Sequence, residues 1–155
     1  MGHRKIKAAW AGLLLIALLA GCSAKPRLYN PHDAQVLLDV GVFNGEMEAI
    51  DADMIPLLYS LDPDSVVEGA CYMAVNTSVS ADEVAVLVLT DEEAARVAQE
   101  AFKQRVDDQL KTCQAYAPAA VPSLEAAVID RVGNTVLLAV GNPQTLPSAV
   151  SDLRG

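Results

Sequence analysis

The stretch from Glu83 to Gln114 restricts the fold more than any other part of the sequence. Its first eight residues, EVAVLVLT, form a nearly continuous apolar run, which predicts a strand that is central in its sheet or covered on both faces. Residues Thr90-Asp-Glu-Glu93 then match the S/T-x-x-E capping box of a helix start. A helix is therefore predicted from Asp91 to about Gln114, and Pro118 prevents its continuation. The apolar stripe of this helix comprises Ala94, Ala98, Ala101, Phe102, Val106 and Cys113.

Shorter elements surround this strand and helix. Asn30-Pro31 and Asp51 have the residue types that begin short helices. Residues 66–75 alternate as a strand does, and Gly133-Asn134 is the expected turn of a hairpin between two apolar runs. The predicted order is α-α-β-β-α-β-β. This order indicates an α+β fold, in which a small antiparallel sheet of about four strands packs against one long helix.

The length of the chain allows one domain, which we assign to residues 31–141. Beyond it, residues 142–155 contain Pro143 and Pro147 and are predicted to form a loose C-terminal tail or a frayed helix.

The N-terminus has the composition of a secretory signal peptide. Residues 1–7 carry three basic side chains, and residues 8–20 are uncharged and mostly aliphatic (AAWAGLLLIALLA). The uncharged run, residues 8–24, is shorter than the about 20 predominantly apolar residues that a membrane-spanning helix needs. A cleaved signal peptide over residues 1–21 is therefore favoured over a permanent membrane span.

The end of this leader, Leu19-Ala20-Gly21-Cys22, resembles the lipobox of bacterial lipoproteins. The resemblance implies cleavage between Gly21 and Cys22 and a diacylglyceryl group on the Cys22 thiol. Two acyl chains anchor a protein stably, so residues 22–30 would tether the domain to the extracytoplasmic face of the cell membrane. This covalent lipid is the only cofactor that we expect. The alternative is an ordinary signal peptide with an incidental cysteine.

The charge balance argues against nucleic acid as a partner. The chain has 11 Lys plus Arg against 20 Asp plus Glu, and its formal net charge of −9 becomes −12 without the leader. Such a body has no basic face to neutralise phosphates. An anionic membrane surface would also repel it. Contact with the membrane is thus expected through the lipid, and a protein of the cell envelope is the other partner considered.

Two cysteines, Cys71 and Cys113, lie outside the leader. An exported compartment permits a disulfide between them, but both positions are expected to be buried, so two inert core thiols explain them equally well. The sequence has no Cys-x-x-Cys or Cys/His spacing of the kind that binds zinc, and we predict no metal site.

Part of the chain, from about Asp51 to Val140, resembles the domain family DUF4358 of bacterial lipoproteins. The resemblance rests on the passage EVAVLVLTDEEAARV, on Arg105 and Gln109, on Tyr116-Ala-Pro118, on the stretch PSLEAAVI and on Gly133-Asn134. Thr135 departs from the family pattern, which favours an aromatic residue there. The resemblance implies an exported, lipid-anchored α+β domain that has no assigned activity and no known catalytic residues.

Helical periodicity places Arg105 and Gln109 inside the apolar stripe of the long helix. Because a buried guanidinium is costly unless it is paired, two interpretations follow. Arg105 is either a structural clamp, bonded to an acid or to carbonyls near residues 116–125 with Gln109 completing the network, or it binds an anionic ligand in a pocket. Tyr116 is the third residue that we assign to this candidate site.

No catalytic constellation is visible in the sequence. His32 is the only histidine outside the leader, and no Gly-rich phosphate loop is present. We expect a non-catalytic interaction or binding module, acting through the sheet face opposite the long helix or through the rim near Tyr116 and Pro118. The alternative is a lipoprotein that binds a small anionic ligand through Arg105.

Overall fold

The structure, a computed structural model, describes residues 25–154 of the chain. The predicted signal peptide, its cleavage site at Gly21 and Cys22, and the first residues of the predicted tether lie outside the described residues. Among residues 25–154, no helix combines the length and the apolar character needed to cross a membrane.

One antiparallel sheet of five strands, in the order β1-β2-β3-β5-β4, forms the centre of the domain. The α+β fold with one long helix is therefore as predicted, with one strand more than the expected four. The additional strand, β1, has only three residues, too few for an alternation to be recognised. The strands are β1 (Met47–Ala49), β2 (Val66–Ala74), β3 (Glu83–Leu89), β4 (Val128–Val132) and β5 (Thr135–Val140).

Within the described residues, five α-helices accompany the sheet. They are α1 (His32–Asp39), α2 (Ile55–Leu58), α3 (Glu92–Tyr116), α4 (Val121–Glu125) and α5 (Leu146–Leu153). The long helix α3 begins as the sequence indicates, but its N-cap is Asp91 and not Thr90: the Asp91 carboxylate accepts a hydrogen bond from the Ala94 N–H at 2.8 Å.

Strand β3 is the central strand, as its apolar run predicts, and it is covered on both faces. Residues at odd positions of β3 face α3 and those at even positions face the opposite side, because side chains alternate along a strand. The core under α3 includes Ile55, Tyr59, Cys71, Ala85, Leu87, Ala98, Phe102, Val106 and Leu138.

The opposite face of the sheet is covered by α1 and α5. A second core contains Tyr29, Leu37, Val84, Val86, Leu137, Leu146 and Val150. Two expectations are corrected by this layer. The sheet face opposite the long helix is not a free interaction surface, and the C-terminal segment is not loose, because Leu146 and Val150 of α5 are buried.

The segment before α1 is bound to the domain, although it was predicted to be tether. The Arg27 guanidinium donates to the Leu153 carbonyl through Nε at 2.9 Å and through Nη2 at 2.6 Å. Nη2 also pairs with the Asp33 carboxylate at 2.9 Å. Next to it, the Tyr29 N–H donates to Thr135 Oγ1 at 3.0 Å, and the Tyr29 ring is 3% exposed. The domain thus begins near Arg27, earlier than the predicted residue 31.

The strand register separates the two ends of the sheet. Thr135, which accepts a hydrogen bond from the Tyr29 N–H, pairs with Val88 near the end of β3. Val140 pairs with Glu83 at the beginning of β3. Since a strand rises about 3.3 Å per residue, these points are roughly 17 Å apart. The N-terminal segment and the end of α5 lie at one end of the sheet, and Glu83 lies at the other.

Candidate functional site

The candidate site is built around Glu83, the first residue of β3. Its odd position points its side chain toward α3, and the residue is fully buried. Arg105 of α3 meets it there: Nε donates to Oε1 at 2.6 Å and to Oε2 at 2.9 Å. The apolar stripe of α3 therefore accommodates the partly buried Arg105, because the fully buried Glu83 carboxylate neutralises it.

Two further side chains donate to the Glu83 carboxylate. The Tyr59 hydroxyl, placed by the end of α2, donates to Oε1 at 2.6 Å, and Gln109 Nε2, one turn after Arg105, donates to Oε2 at 3.2 Å. Arg105 and Gln109 thus meet in one network, the arrangement that the structural-clamp interpretation describes. Its acid, however, is Glu83 and not a group near residues 116–125.

Gln109 is only partly satisfied by this network. Its second amide atom, Oε1, is buried and has no hydrogen-bond partner among the described residues. The opposite orientation of the amide would place this oxygen against the Glu83 carboxylate, so the need of Glu83 for a donor explains the orientation.

The electrostatics of the cluster favour a charged guanidinium. Burial by itself lowers the pKa of Arg105, but the hydrogen bond and the negative charge of Glu83 outweigh it, so the pKa is raised overall. For Tyr59, burial and then the charge of Glu83 raise the pKa of the hydroxyl well above its usual range. The Arg105 guanidinium carbon also lies 5.5 Å from the centre of the Tyr59 ring, a cation–π distance.

Cys71 lies beneath this cluster, with its Sγ 3.3 Å from the Tyr59 hydroxyl. Burial raises the pKa of the Cys71 thiol from 9.0 to about 12, so it is protonated at neutral pH. Cys113 is half-buried, and within residues 25–154 both cysteines are free. The structure therefore has Cys71 as a core thiol and does not join it to Cys113 in the disulfide that was considered.

A cavity of about 570 Å³ opens beside Arg105, between α3 and the end of the sheet where β3 begins. Among the described residues, Arg105 Nη1 has no protein acceptor, and Nη2 contacts only the Met73 sulfur at 3.8 Å. One edge of the guanidinium is thus held by Glu83, and the other is available at the cavity wall. The wall also includes Ser80, Asp82, Gln104, Asp108 and Thr112.

Two acids in the wall offset the charge of Arg105. Asp82 is buried at 2% exposure and accepts hydrogen bonds from the backbone and side-chain N–H groups of Asn44. Asp108 is exposed, and its hydrogen bonds from Gln104 and then Lys111 lower its pKa. Because Glu83 already neutralises Arg105, the cavity can hold a ligand by directed hydrogen bonds more than by net charge.

Tyr116 is not part of this site. It is the last residue of α3, it is 85% exposed, and it does not line the cavity. Conversely, Glu83 and Tyr59 belong to the cluster but were not singled out from the sequence. Glu83 could have been found, because it shares its odd-numbered face with Ala85 and Leu87 in a strand that was predicted to be central.

Within residues 25–154, no group of three or more His, Cys, Asp or Glu side chains has the geometry of a metal site.

Comparison with known proteins gives a family and no named relative. Residues 40–141, most of the described domain, match the profile of DUF4358, a domain of unknown function. A search of curated proteins and a search of solved structures each found no match.

Proposed function

Since the chain belongs to the DUF4358 family, whose function is unknown, we propose a function from its own residues. We infer an exported lipoprotein, anchored at the extracytoplasmic face of the cell membrane by lipid on Cys22, whose domain is a non-catalytic binding module. The basic and apolar leader that ends in Leu19-Ala20-Gly21-Cys22 supports the anchor.

The observation that carries the binding proposal is the cavity beside Arg105. Its volume lies in the range of small-molecule sites, and its wall contains apolar side chains and a similar number of polar or charged ones. At its base, the terminal nitrogens of Arg105 offer donors whose direction is fixed, because Glu83 holds the other edge of the guanidinium. Fixed donors of this kind orient a ligand at little entropic cost.

The polar groups around the cavity support binding and not catalysis. The Glu83 carboxylate accepts hydrogen bonds from three side chains, which leaves it poorly placed to exchange a proton with a substrate. The Cys71 thiol is protonated at neutral pH and buried, which is typical of a structural cysteine.

A second candidate function is the binding of a small anionic ligand through Arg105. The Nη edge of the guanidinium favours it: among the described residues its one contact is the weak acceptor Met73 Sδ, and two parallel N–H groups match a carboxylate or a phosphate. The acids Asp82 and Asp108 in the same wall would restrict such a ligand to one that gains more from hydrogen bonds than it loses by repulsion.

Thermal unfolding of the full chain in detergent tests the cavity, with acetate, succinate, inorganic phosphate and succinamide as probes. We expect at least one probe to raise Tm. The effect should vanish in Thr112→Trp, which fills the cavity, and persist in Gln114→Trp, an exposed position outside the wall. A shift that survives Thr112→Trp would place binding elsewhere. The anionic candidate fails if succinamide acts as strongly as succinate, or if no anion acts.

The anchor is tested separately by metabolic labelling with an alkyne fatty acid and by membrane fractionation. We expect the full chain to incorporate the label and to sediment with membranes, and Cys22→Ser to do neither. Labelling that persists in Cys22→Ser would refute the lipid anchor at this residue.

A further inference from the structure

Strand β1 leaves one edge of the sheet open. The Ile50 N–H donates to the Cys71 carbonyl at 2.9 Å, and the Val75 N–H donates to the Glu46 carbonyl at 3.0 Å, so the even-numbered residues of β1 pair with β2. In an antiparallel ladder the residues between them point the other way. The backbone N–H and C=O groups of Met47 and Ala49 therefore face outward, and β1 has no second neighbouring strand within residues 25–154.

An apolar concavity adjoins this edge. A space of about 560 Å³ is bordered by residues 48–51 of the edge and by Met54, Leu57 and Leu58 of the following helical turns. Helix α2 buries Ile55 and Pro56, and this leaves Met54 49% exposed and Leu57 64% exposed beside the open strand. Side chains on one face of an added strand would contact these two residues.

The surroundings of the open edge are acidic. Glu46, Glu48, Asp51 and Asp53 are all exposed, and none is in an ion pair among the described residues. The sequence has no Lys or Arg between Arg27 and Arg96. No cation of this segment of the chain offsets these charges.

The other edge of the sheet differs. Strand β4 carries Asp130 and Arg131 at its centre, and Asp130 is engaged by the Tyr29 hydroxyl and by Arg154. Charges within an edge strand are a common defence against pairing with another chain. β1 also has a charge at its centre, Glu48, but this carboxylate is exposed and in no ion pair among the described residues, so a basic segment would neutralise it.

We propose that the open edge of β1 binds an extended segment of a partner protein, in which apolar residues alternate with Lys or Arg. The segment adds a sixth strand through hydrogen bonds to Met47 and Ala49. Its apolar side chains lie on Met54 and Leu57, and its basic side chains, on the opposite face, are attracted by the exposed acids that surround the edge, Glu46, Glu48, Asp51 and Asp53. A second copy of this chain is disfavoured as the occupant, because antiparallel pairing of two β1 strands would bring Glu46 and Glu48 of both copies together.

The test measures fluorescence anisotropy of the labelled peptide Ac-KVKVKVK-NH2 with the full chain in detergent. Ala49→Pro removes the outward N–H and no bond between β1 and β2, a change that edge strands tolerate. Ala49→Val retains the N–H and is the matched control. We expect Ala49→Pro to weaken binding at least tenfold, Leu57→Ser to weaken it several-fold, and Ala49→Val to leave it unchanged.

A change in the peptide covers the case in which Ala49→Pro impairs folding. N-methylation of the three valines blocks hydrogen bonding along one edge of the peptide and leaves its charge intact. If the valines are the residues that pair with β1, this change should abolish binding to the unaltered chain. Methylation of the central lysines tests the other edge. Equal binding of Ala49→Pro and Ala49→Val, or retention of affinity by both methylated peptides, would overturn the proposal.

Two further results separate this site from other occupants and from the cavity. A dimer by light scattering that is lost in Ala49→Pro would identify a second copy of the chain as the occupant and overturn the proposal. Thr112→Trp should leave peptide affinity unchanged, so failure of the cavity and failure of the β1 edge are distinguishable.

Discussion

Among single residues, Glu83 explains how Arg105 can lie within the apolar stripe of α3. Neither charge is stable alone in the core, because each loses its hydration on folding. The hydrogen bonds between Arg105 and Glu83, and those from Tyr59 and Gln109 to Glu83, replace the lost water. Periodicity predicts that Arg105 needs a partner. It does not identify that partner, because the contact joins residues 22 positions apart in sequence.

Removal of one ion should therefore cost more than removal of both. We expect Arg105→Ala to lower the free energy of unfolding by about 3–5 kcal/mol, as measured by denaturant titration. The double variant Glu83→Leu, Arg105→Met should recover most of the loss, since well-packed apolar residues can replace a buried pair. Arg96→Ala, at an exposed pair on the same helix, is the control and should change little. If Arg105→Ala matches this control, Arg105 is not a clamp.

The buried Cys71 thiol and Tyr59 hydroxyl under α3 predict that the domain loses stability at alkaline pH. The folded chain raises the pKa of Cys71 from 9.0 to about 12 and the pKa of Tyr59 above 10.0, so near pH 10 it binds protons that the unfolded chain has released. The stability that these two protonated groups contribute is fully present below pH 9 and declines at higher pH. Tm measured from pH 7 to pH 11 should fall less steeply in Cys71→Ala than in Cys113→Ala. Identical slopes would contradict the linkage.

The secondary-structure elements show where local sequence is sufficient. Strand β3, helix α3 and the β4–β5 hairpin have strong periodic or capping signals, and the structure has them within a few residues of the predicted bounds. Strand β1 has three residues and depends on its pairing with β2, which no local pattern reveals. For α5 the sequence indicates only a loose tail or a frayed helix, because Pro147 suggests that a regular helix is interrupted. Pro147 lies in the first turn of α5, where a missing N–H costs nothing.

Helix α5 should accordingly contribute to stability. Leu146 is fully buried against the sheet, whereas Ser148 of the same helix is exposed. We expect Leu146→Ala to cost about 2–5 kcal/mol of unfolding free energy and Ser148→Ala to be nearly neutral. Equal unfolding midpoints for the two variants would show that the tail is not packed.

At the level of the whole domain, the cavity lies at the opposite end of the sheet from Arg27 and Leu153, which are near the two ends of the described part of the chain. The residues beside the tether contact Thr135 and Leu153, while the cavity lies at the start of β3 and along the second half of α3. From Cys22 to Arg27 the chain spans at most about 18 Å. A lipid on Cys22 would hold the cavity on the side of the domain away from the bilayer.

This orientation can be measured on the lipidated chain in vesicles that contain a quencher lipid. A fluorescent amino acid at position 151 should be quenched more strongly than one at position 112. Both positions are exposed, so the comparison is matched for solvent access. Equal quenching, or stronger quenching at position 112, would contradict the arrangement.

The hydrogen bonds between Arg27 and the Leu153 carbonyl have a mechanical consequence. Where the protein is pulled by its tether, force enters the folded part at Arg27, and that residue passes it directly to the last turn of α5. Arg27 precedes Tyr29 along the pulled chain, so the hydrogen bonds to α5 bear load before the hydrogen bond from Tyr29 to Thr135 transmits it to β5. The response of the domain to such a pull would then depend first on its contact with α5, a helix that local sequence patterns indicate only weakly.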